Sequence, residues 1–307
     1  MNFTLNILGT ASALPTVNRF PSAQVLEVRG RLFLIDAGEG VQIRMRRMRL
    51  SIMKIDDIFI SHVHGDHIYG IFGLLSTMSM LGRTAKLHIY APGDFKIYLD
   101  FVKATAGLKY EVEHHILDMS SPEVIYSTKS LEIISFPLRH GVKTFGFMFR
   151  EKEPLFNVRK HCISRYELSL SEIASLKRGE DVYRTDGEVI SVAEAAYKPY
   201  SPRSYAYCSD TAPFEDLSKW VKGVSLLYHE ATFPSEMTEM AALTFHSTAR
   251  QAAQCAADAG AGSLILGHFS SRYPDVSSFL SEALEIFSKV SLASDCMRVE
   301  IPLIKYI

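Results

Sequence analysis

Residues 61–67 read Ser-His-Val-His-Gly-Asp-His, and this short stretch indicates both a fold and a chemistry. Imidazole nitrogens and a carboxylate are ligands that suit borderline divalent cations such as Zn²⁺. Their spacing is too short for one face of a helix, so they require a junction of strand, loop and helix. An apolar run ends at Ile60, Gly65 permits a tight turn, and apolar residues recur at helical spacing over residues 68–81. The stretch therefore predicts a metal site at a strand end, with a helix that begins near Asp66.

The composition indicates one domain with an insertion. A chain of 307 residues with 47% hydrophobic content can bury a large core. Its formal net charge of −1 argues against a uniformly basic nucleic-acid-binding protein, so a phosphate-rich partner would have to meet local basic patches. The four cysteines are far apart and predict reduced thiols. No signal-peptide pattern is visible, and no apolar run approaches the ~18 residues of a membrane span, so we expect a cytoplasmic protein without a membrane partner.

Strand and helix patterns alternate along the chain. Strands are predicted at 3–8, 23–28 and 32–36, and an amphipathic helix follows at 41–50. That helix carries Arg44, Arg46, Arg47 and Arg49, which would contact phosphate or form an ordinary solvated face.

Three later strands end in polar residues. The predicted strands 205–208, 224–228 and 263–266 lead to Asp210, to His229 with Glu230, and to His268. Because chemistry in layered α/β folds gathers at strand ends along one edge, we expect these side chains to converge on one cleft. His246 lies just before an alanine-rich helix predicted at 249–259.

Residues 151–198 differ in character from the rest of the chain. The segment is rich in charge of both signs and offers one clear helical candidate, at 169–177. We interpret it as a protruding insertion. An arm that grips a substrate and an ordinary surface excursion are both open.

Several short segments occur in a recognisable order. They are Leu8-Gly9-Thr10, Asp36-Ala37-Gly38-Glu39-Gly40, the 61–67 motif, Pro137-Leu138-Arg139-His140, Ser209-Asp210-Thr211, His229-Glu230-Ala231-Thr232-Phe233, His246-Ser247-Thr248 and Gly267-His268-Phe269-Ser270-Ser271-Arg272-Tyr273. The H-x-H-x-D-H motif alone resembles the metallo-β-lactamase superfamily, which includes lactamases, glyoxalases, phosphodiesterases and nucleases. The whole set resembles the short form of ribonuclease Z, the family of tRNA 3′-processing endonucleases.

The resemblance implies an α/β fold, the αββα sandwich of two mixed β-sheets with outer helices. Residues 1–307 would form a single catalytic domain with an inserted substrate-binding arm at 151–198. The resemblance also implies two Zn²⁺ ions per subunit, with Mn²⁺ or another divalent ion as an alternative. The implied ligands are His62, His64 and His140 for one ion, Asp66, His67 and His268 for the other, and Asp210 as the bridge.

Catalytic roles follow from the same resemblance. Asp66 would accept the proton of the attacking water, and His246 would stabilise or protonate the leaving oxygen. We hypothesise that Glu230 fixes the tautomer of His246, because the two loops that carry them are paired in the family.

The implied function is a zinc-dependent endoribonuclease that removes the 3′ trailer from precursor tRNA and leaves a 3′-hydroxyl on the tRNA. A homodimer is expected, and a DNA partner is not. Residues 159–178 lack the Gly-Pro-rich segment of the family's arm, so a binuclear zinc phosphodiesterase acting on small phosphodiesters or other RNA is the alternative. A purely structural metal site is a weaker hypothesis, because structural zinc is usually closed by four protein ligands.

The remaining histidines and thiols have simpler interpretations. His229 is left outside the ligand set, because its ring can hydrogen-bond to backbone. Cys208 is interpreted as a packed thiol, since no activating base is near it in sequence. Four histidines have no motif around them and are interpreted as surface or core residues: His88, His114, His115 and His161.

Overall fold

The computed structural model describes residues 2–306, which form strands, α-helices and two short 3₁₀ helices. The strands are β1 (Phe3–Gly9), β2 (Ala11–Ser12), β3 (Ala23–Val28), β4 (Arg31–Ile35), β5 (Ile55–Phe59), β6 (Leu87–Pro92), β7 (Val112–Leu117), β8 (Glu123–Ser127), β9 (Leu131–Leu138), β10 (Thr144–Glu151), β11 (Asn157–Val158), β12 (Val182–Tyr183), β13 (Val189–Ile190), β14 (Ala196–Tyr197), β15 (Ser204–Cys208), β16 (Leu226–Glu230), β17 (Leu264–Gly267), β18 (Phe269–Ser270), β19 (Val290–Leu292) and β20 (Arg298–Glu300). The α-helices are α1 (Val41–Arg47), α2 (Gly65–Ile68), α3 (Gly70–Met80), α4 (Phe95–Thr105), α5 (Lys160–Arg165), α6 (Leu170–Arg178), α7 (Val192–Ala195), α8 (Glu215–Trp220), α9 (Thr238–Leu243), α10 (Ala249–Ala259) and α11 (Ser277–Leu284). The 3₁₀ helices are Ile52–Lys54 and Ser235–Met237.

Two large mixed sheets contain most of the strands. The first has the order β20-β1-β3-β4-β5-β6-β7, antiparallel from β20 to β4 and parallel from β4 to β7. The second has the order β19-β17-β16-β15-β10-β9-β8, with parallel pairing from β15 to β19. Parallel strands need long crossover connections, and the helices between them supply these.

The two sheets pack face to face through aromatic side chains. Phe59 of the first sheet lies with its ring centroid 5.5 Å from that of Phe147 and 5.4 Å from that of Phe149 in the second. Helices cover the outer face of the first sheet, where Met45, Leu74 and Leu99 are buried in one apolar cluster. The predicted sandwich of two mixed sheets with outer helices is therefore confirmed.

The chain divides into two compact units. The larger unit consists of Met1–Tyr126, Ile133–Phe149 and Ser204–Ile301. The smaller unit consists of Ser127–Glu132, Arg150–Arg203 and Pro302–Ile307.

The smaller unit has its own apolar cluster. Its longest helix, α6, starts at a capping box formed by Ser169 and Glu172, and it ends at Gly179, which adopts a φ of 86°. The sequence predicts one helix here, whereas the structure has α5, α6, α7 and four two-residue strands. The buried apolar residues of this cluster are Cys162, Leu168, Leu176, Val182, Ile190 and Ala195.

The single helix predicted after the 61–67 motif is wrong in detail, because α2 and α3 are separated at Tyr69. The amide of Gly70 donates a hydrogen bond to the carbonyl of Ala37, 2.7 Å away. A Cβ at Gly70 would lie 2.0 Å from the carbonyl oxygen of Gly38. The helix is interrupted here because the 36–40 loop packs closely against it.

The arginine helix also differs from the prediction. Helix α1 ends at Arg47, and Arg44 is buried rather than solvated. Its guanidinium donates to the carbonyl of Leu8 at 3.0 Å and to the carboxylate of Asp295 at 3.1 Å. Arg44 is therefore a structural residue, while Arg46, Arg47 and Arg49 are exposed.

Within residues 2–306, no helix is both long enough and apolar enough to span a membrane.

Candidate metal centre

The predicted site residues lie close together at the ends of successive strands of the larger unit. Strand β5 leads into the 61–67 motif, and β9 leads to His140. Asp210 follows β15, Glu230 ends β16, and His268 follows β17. The sequence expectation that these strand ends converge therefore agrees with the structure.

The first donor set contains three imidazoles and one carboxylate. His64 Nδ1 lies 3.1 Å from His62 Nε2 and 3.3 Å from His140 Nε2. Asp210 Oδ2 lies 3.6 Å from His62 Nε2 and 3.8 Å from His140 Nε2. These four donor atoms face one another closely enough to share a metal ion.

The second donor set contains two imidazoles and one carboxylate. His67 Nε2 and His268 Nε2 are 3.3 Å apart, and each is 3.5 Å from Asp66 Oδ2. The backbone amide of Ala13 donates to the same Asp66 oxygen at 2.8 Å. This hydrogen bond holds the carboxylate in position.

Asp210 faces both sets at once. Its Oδ1 atom lies 3.4 Å from His67 Nε2 and 3.2 Å from His268 Nε2, while its Oδ2 atom faces the first set. The side chain is almost fully buried, at 3% exposure. A carboxylate with one oxygen toward each set has the position that a bridging ligand requires.

Most of the imidazoles are held by a hydrogen bond at the nitrogen that faces away from the centre. The Nδ1 atoms of His62 and His268 lie 3.0 Å from the hydroxyls of Ser61 and Thr232, and His140 Nδ1 lies 3.0 Å from the carbonyl of Phe245. Such partners fix the ring orientation and leave Nε2 free for a metal. His64 differs, because its Nδ1 atom is the one turned toward the centre.

Asp36 performs this orienting role for His67, a role that was not predicted from the sequence. Its carboxylate accepts hydrogen bonds from the amide and hydroxyl of Ser61 at 2.7 and 2.8 Å and from the hydroxyl of Tyr207 at 2.7 Å. His67 Nδ1 lies 2.7 Å from the same carboxylate. Asp36 is fully buried and adopts a φ of 55°, which is unusual for a residue with a side chain. The signal for it was the Asp-Ala-Gly-Glu-Gly segment, which we used only as a family marker.

The partly buried His246 and the fully buried Glu230 form a pair beside the donor sets. Glu230 Oε1 is 2.9 Å from His246 Nδ1, and it also accepts from the amides of Ser247 and Thr211. Glu230 Oε2 accepts from the amide and hydroxyl of Thr232, both at 2.9 Å. These hydrogen bonds fix the carboxylate of Glu230. The carboxylate in turn orients the ring of His246, whose Nδ1 atom faces it.

The pair has a shifted protonation equilibrium. Burial opposes a charge on His246, but the Glu230 carboxylate outweighs it and raises the pKa of His246 to about 9. His246 therefore carries a proton near neutral pH in this environment.

The charges at the centre fit a divalent cation. Burial lowers the pKa of His62, His64 and His140, which favours neutral imidazoles with a lone pair to offer. Burial opposes ionisation of Asp66 and Asp210, yet the neighbouring imidazoles lower the pKa of both carboxyls. His67 differs, because the surrounding carboxylates outweigh its burial and raise its pKa. Zn²⁺ and similar ions are bound by neutral imidazoles and ionised carboxylates, so a bound ion would take the place of the proton that His67 holds.

The remaining candidates lie outside the two donor sets. His229 is buried, and its Nδ1 atom is 2.7 Å from the carbonyl of Glu230. Cys208 is fully buried, and burial raises the pKa of its thiol. Neither is grouped with the ligand atoms described above.

Comparison with known proteins places the chain among related sequences. The ribonuclease Z of Phocaeicola vulgatus is 41% identical over 307 residues, which cover 99% of this chain and 99% of the relative. The ribonuclease Z of Cytophaga hutchinsonii is 43% identical over 298 residues, which cover 96% of this chain and 95% of the relative. A family model described as "Anti-Pycsar protein Apyc1" matches residues 3–152.

A similar fold occurs in the crystal structure of human tRNase Z, short form. The two structures superpose with a TM-score of 0.71 at 24% identity, over 97% of this chain and 99% of the human chain. Identity this low supports the fold and no more. The sequence relatives reach about 40% identity over almost the whole chain, and this identity establishes the family. The chain belongs to the ribonuclease Z family.

Proposed function

We propose that this chain is a metal-dependent endoribonuclease that removes the 3′ trailer from precursor tRNA and leaves a 3′-hydroxyl on the tRNA. The observation that carries the proposal is the arrangement of Asp210 between two donor sets with the His246–Glu230 pair beside them. In this arrangement the proposed metal ligands and the proposed proton donor would act on the same phosphate. The membership of the chain in the ribonuclease Z family supplies the substrate.

Two Zn²⁺ ions per chain are the proposed cofactors, with Mn²⁺ as the alternative. His62, His64 and His140 would hold one ion, Asp66, His67 and His268 the other, and Asp210 would bridge them. When bound, such a pair activates water as a nucleophile near neutral pH and neutralises negative charge on the attacked phosphate.

The protein supplies the proton transfers. Asp66 is kept as a carboxylate and is positioned to accept the proton that the attacking water loses. The bond that breaks joins phosphorus to the 3′ oxygen of the tRNA, and this oxygen needs a proton to become the product hydroxyl. His246 donates that proton from Nε2, since its Nδ1 atom is engaged with Glu230. Glu230 is a positioning residue in this account.

The smaller unit is the proposed site of tRNA binding outside the cleft. The segment 151–198 is folded around its own apolar cluster and carries exposed charged residues, including Arg165, Lys177 and Arg178. These are suited to phosphate contacts away from the reacting bond. The family resemblance further suggests a homodimer that works in the cytoplasm; sedimentation of the purified chain would check the dimer.

The test is cleavage of a 3′-extended precursor tRNA by the zinc-loaded protein, with both product ends mapped. We expect one cut at the base of the acceptor stem, leaving a 3′-hydroxyl. Asp66→Ala should abolish it, whereas Asp216→Ala, which removes an exposed carboxylate on α8, should leave it intact. Scattered cuts, or cleavage that survives Asp66→Ala, would refute the proposal.

A binuclear phosphodiesterase that acts on small phosphodiesters or other RNA is the second candidate. It is favoured by the match of residues 3–152 to a family model of a different name, which covers the 61–67 motif and His140. The same assay separates the two functions. Hydrolysis of a small phosphodiester without any cut in precursor tRNA would favour this second candidate.

A further inference from the structure

A second group of ligand-type side chains lies on the larger unit and shares no residue with the metal centre. His88 on β6 and Glu113 and His115 on β7 turn toward one another. His88 Nδ1 is 3.0 Å from His115 Nε2 and 3.6 Å from Glu113 Oε2. His115 Nε2 is 3.9 Å from Glu113 Oε1. One donor atom from each of the three side chains thus lies within 4.8 Å of the other two.

The sheet positions these side chains. The parallel register aligns His88 with Glu113 and Tyr90 with His115. Side chains two residues apart on a strand share a face, so Glu113 and His115 both lie beside His88. The ring of His115 stacks on Tyr90 with centroids 4.5 Å apart and planes 14° apart, which fixes its orientation.

The spacing suits a metal ion. Metal–nitrogen distances near 2.0–2.1 Å at tetrahedral angles separate donor atoms by about 3.3 Å. The observed separations of 3.0, 3.6 and 3.9 Å lie around that value, so small side-chain rotations would seat a cation.

A buried carboxylate lies on the neighbouring strand beside His88. Asp57 on β5 is aligned with His88 in the register and is only 8% exposed. Among the described residues, none forms a hydrogen bond or an ion pair with its carboxylate. It lines a cavity of about 680 Å³ together with Arg31, Lys86 and His88. Burial raises the pKa of the Asp57 carboxyl to about 6, and a cation held by His88 would offset this cost.

A metal ion at this site would have to displace the ammonium group of Lys86 from the carboxylate of Glu113. Its ammonium lies 3.1 Å from Glu113 Oε2 but also 2.9 Å from Glu111 Oε1. Lys86 therefore keeps a partner when Glu113 turns to a metal.

We propose that His88, Glu113 and His115 bind a third divalent transition-metal ion of the Zn²⁺ class, which links the edge strand β7 to β6. Imidazole nitrogens select such ions over Mg²⁺ and Ca²⁺, which prefer oxygen. The three side chains are between 34% and 42% exposed, so water can complete the coordination. The site shares no residue with the metal centre, although counting its ion as the third rests on the two ions proposed for that centre. It replaces the interpretation of His88 and His115 as ordinary surface or core residues.

The test is a titration of metal-free protein with Zn²⁺ against a chromophoric chelator, with the unfolding temperature followed in parallel. The wild-type chain should bind a third equivalent, and that equivalent should raise the unfolding temperature. His88→Gln, His115→Gln and Glu113→Gln should each weaken it by about 10-fold or more while the first two equivalents persist. The matched control is His114→Gln, since His114 is the intervening residue on β7 and faces the carbonyl of Ala91.

Loss of the third equivalent in the three cluster variants and its retention in the control would support the site. Two equivalents in the wild-type chain, or a third that survives all cluster variants, would overturn it. Should a histidine variant fail to fold, Glu113→Gln gives the same readout, because it changes an exposed carboxylate without altering side-chain size.

Discussion

The metal centre and the smaller unit are built in opposite ways. At the metal centre, buried side chains such as Asp36 and Glu230 each accept several hydrogen bonds. The residues that donate these bonds in turn orient the ligands. In the smaller unit, a modest apolar cluster supports ion pairs on exposed side chains, such as Arg165–Glu194 and Arg178–Glu180. Exposed pairs contribute little to stability. Single substitutions at the metal centre should therefore change activity strongly. In the smaller unit, a large effect should require replacement of the whole segment.

The largest effect expected from this contrast is at Asp210. Asp210→Ala removes the carboxylate that faces both donor sets, and the loss of several kcal/mol of transition-state stabilisation corresponds to about 10³-fold or more in kcat. Metal content should also fall below that of the wild-type chain. The measurement is kcat on precursor tRNA beside metal analysis by mass spectrometry. Wild-type metal content with wild-type kcat would contradict the bridging role.

A smaller effect is expected at Asp36, which touches a ligand but no substrate. Asp36→Asn should weaken metal affinity by about 10- to 100-fold, because His67 loses the anion that orients its ring. Tyr207→Phe is the matched control, since it removes one donor to Asp36 and leaves the carboxylate in place. Competition with a chelator measures both affinities. An equal loss in the two variants would show that packing, rather than the orientation of His67, is responsible.

Glu230 should shape the pH dependence of the reaction. A pKa of His246 raised to about 9 keeps the proton donor charged at neutral pH, and this proton is lost as the pH rises through 9. Glu230→Gln removes the cause, so the pKa should fall toward the ordinary value of ~6.5 and the alkaline limb should move to lower pH. The variant should consequently lose more activity at pH 8 than at pH 6. A uniform loss across the profile would indicate a structural role for Glu230.

The smallest effect concerns the smaller unit. Replacing residues 155–195 by a short Gly-Ser linker should raise KM for precursor tRNA by about 10-fold, the loss expected from about 1.4 kcal/mol of remote binding. Hydrolysis of a small phosphodiester should be unchanged, because the donor sets lie in the larger unit. Equal loss on both substrates would instead make the segment structural.

Local patterns predicted much of the fold. Strand β3 and helix α10 have the predicted bounds, and in the structure α10 is capped by Thr248 with Gln251 and ends at Gly260. These features depend on residues that are neighbours in sequence, where propensity and capping operate directly.

Features that depend on distant residues could not be predicted in this way. The break at Tyr69 results from the approach of the loop at Gly38, and the burial of Arg44 depends on Asp295. Strand β7 was not predicted either, because its Glu-His-His sequence lacks a strong apolar alternation. The role of Asp36 also depends on distant residues, because it is evident only from its contacts with Ser61, His67 and Tyr207.

The most direct test of the account is a crystal structure of the zinc-loaded protein with anomalous scattering measured at the zinc edge. We predict two strong peaks at the metal centre, one reached by His62, His64 and His140, the other by Asp66, His67 and His268, with Asp210 between them. A single peak there, or zinc bound only elsewhere on the chain, would contradict the central claim that this strand edge is a two-metal site.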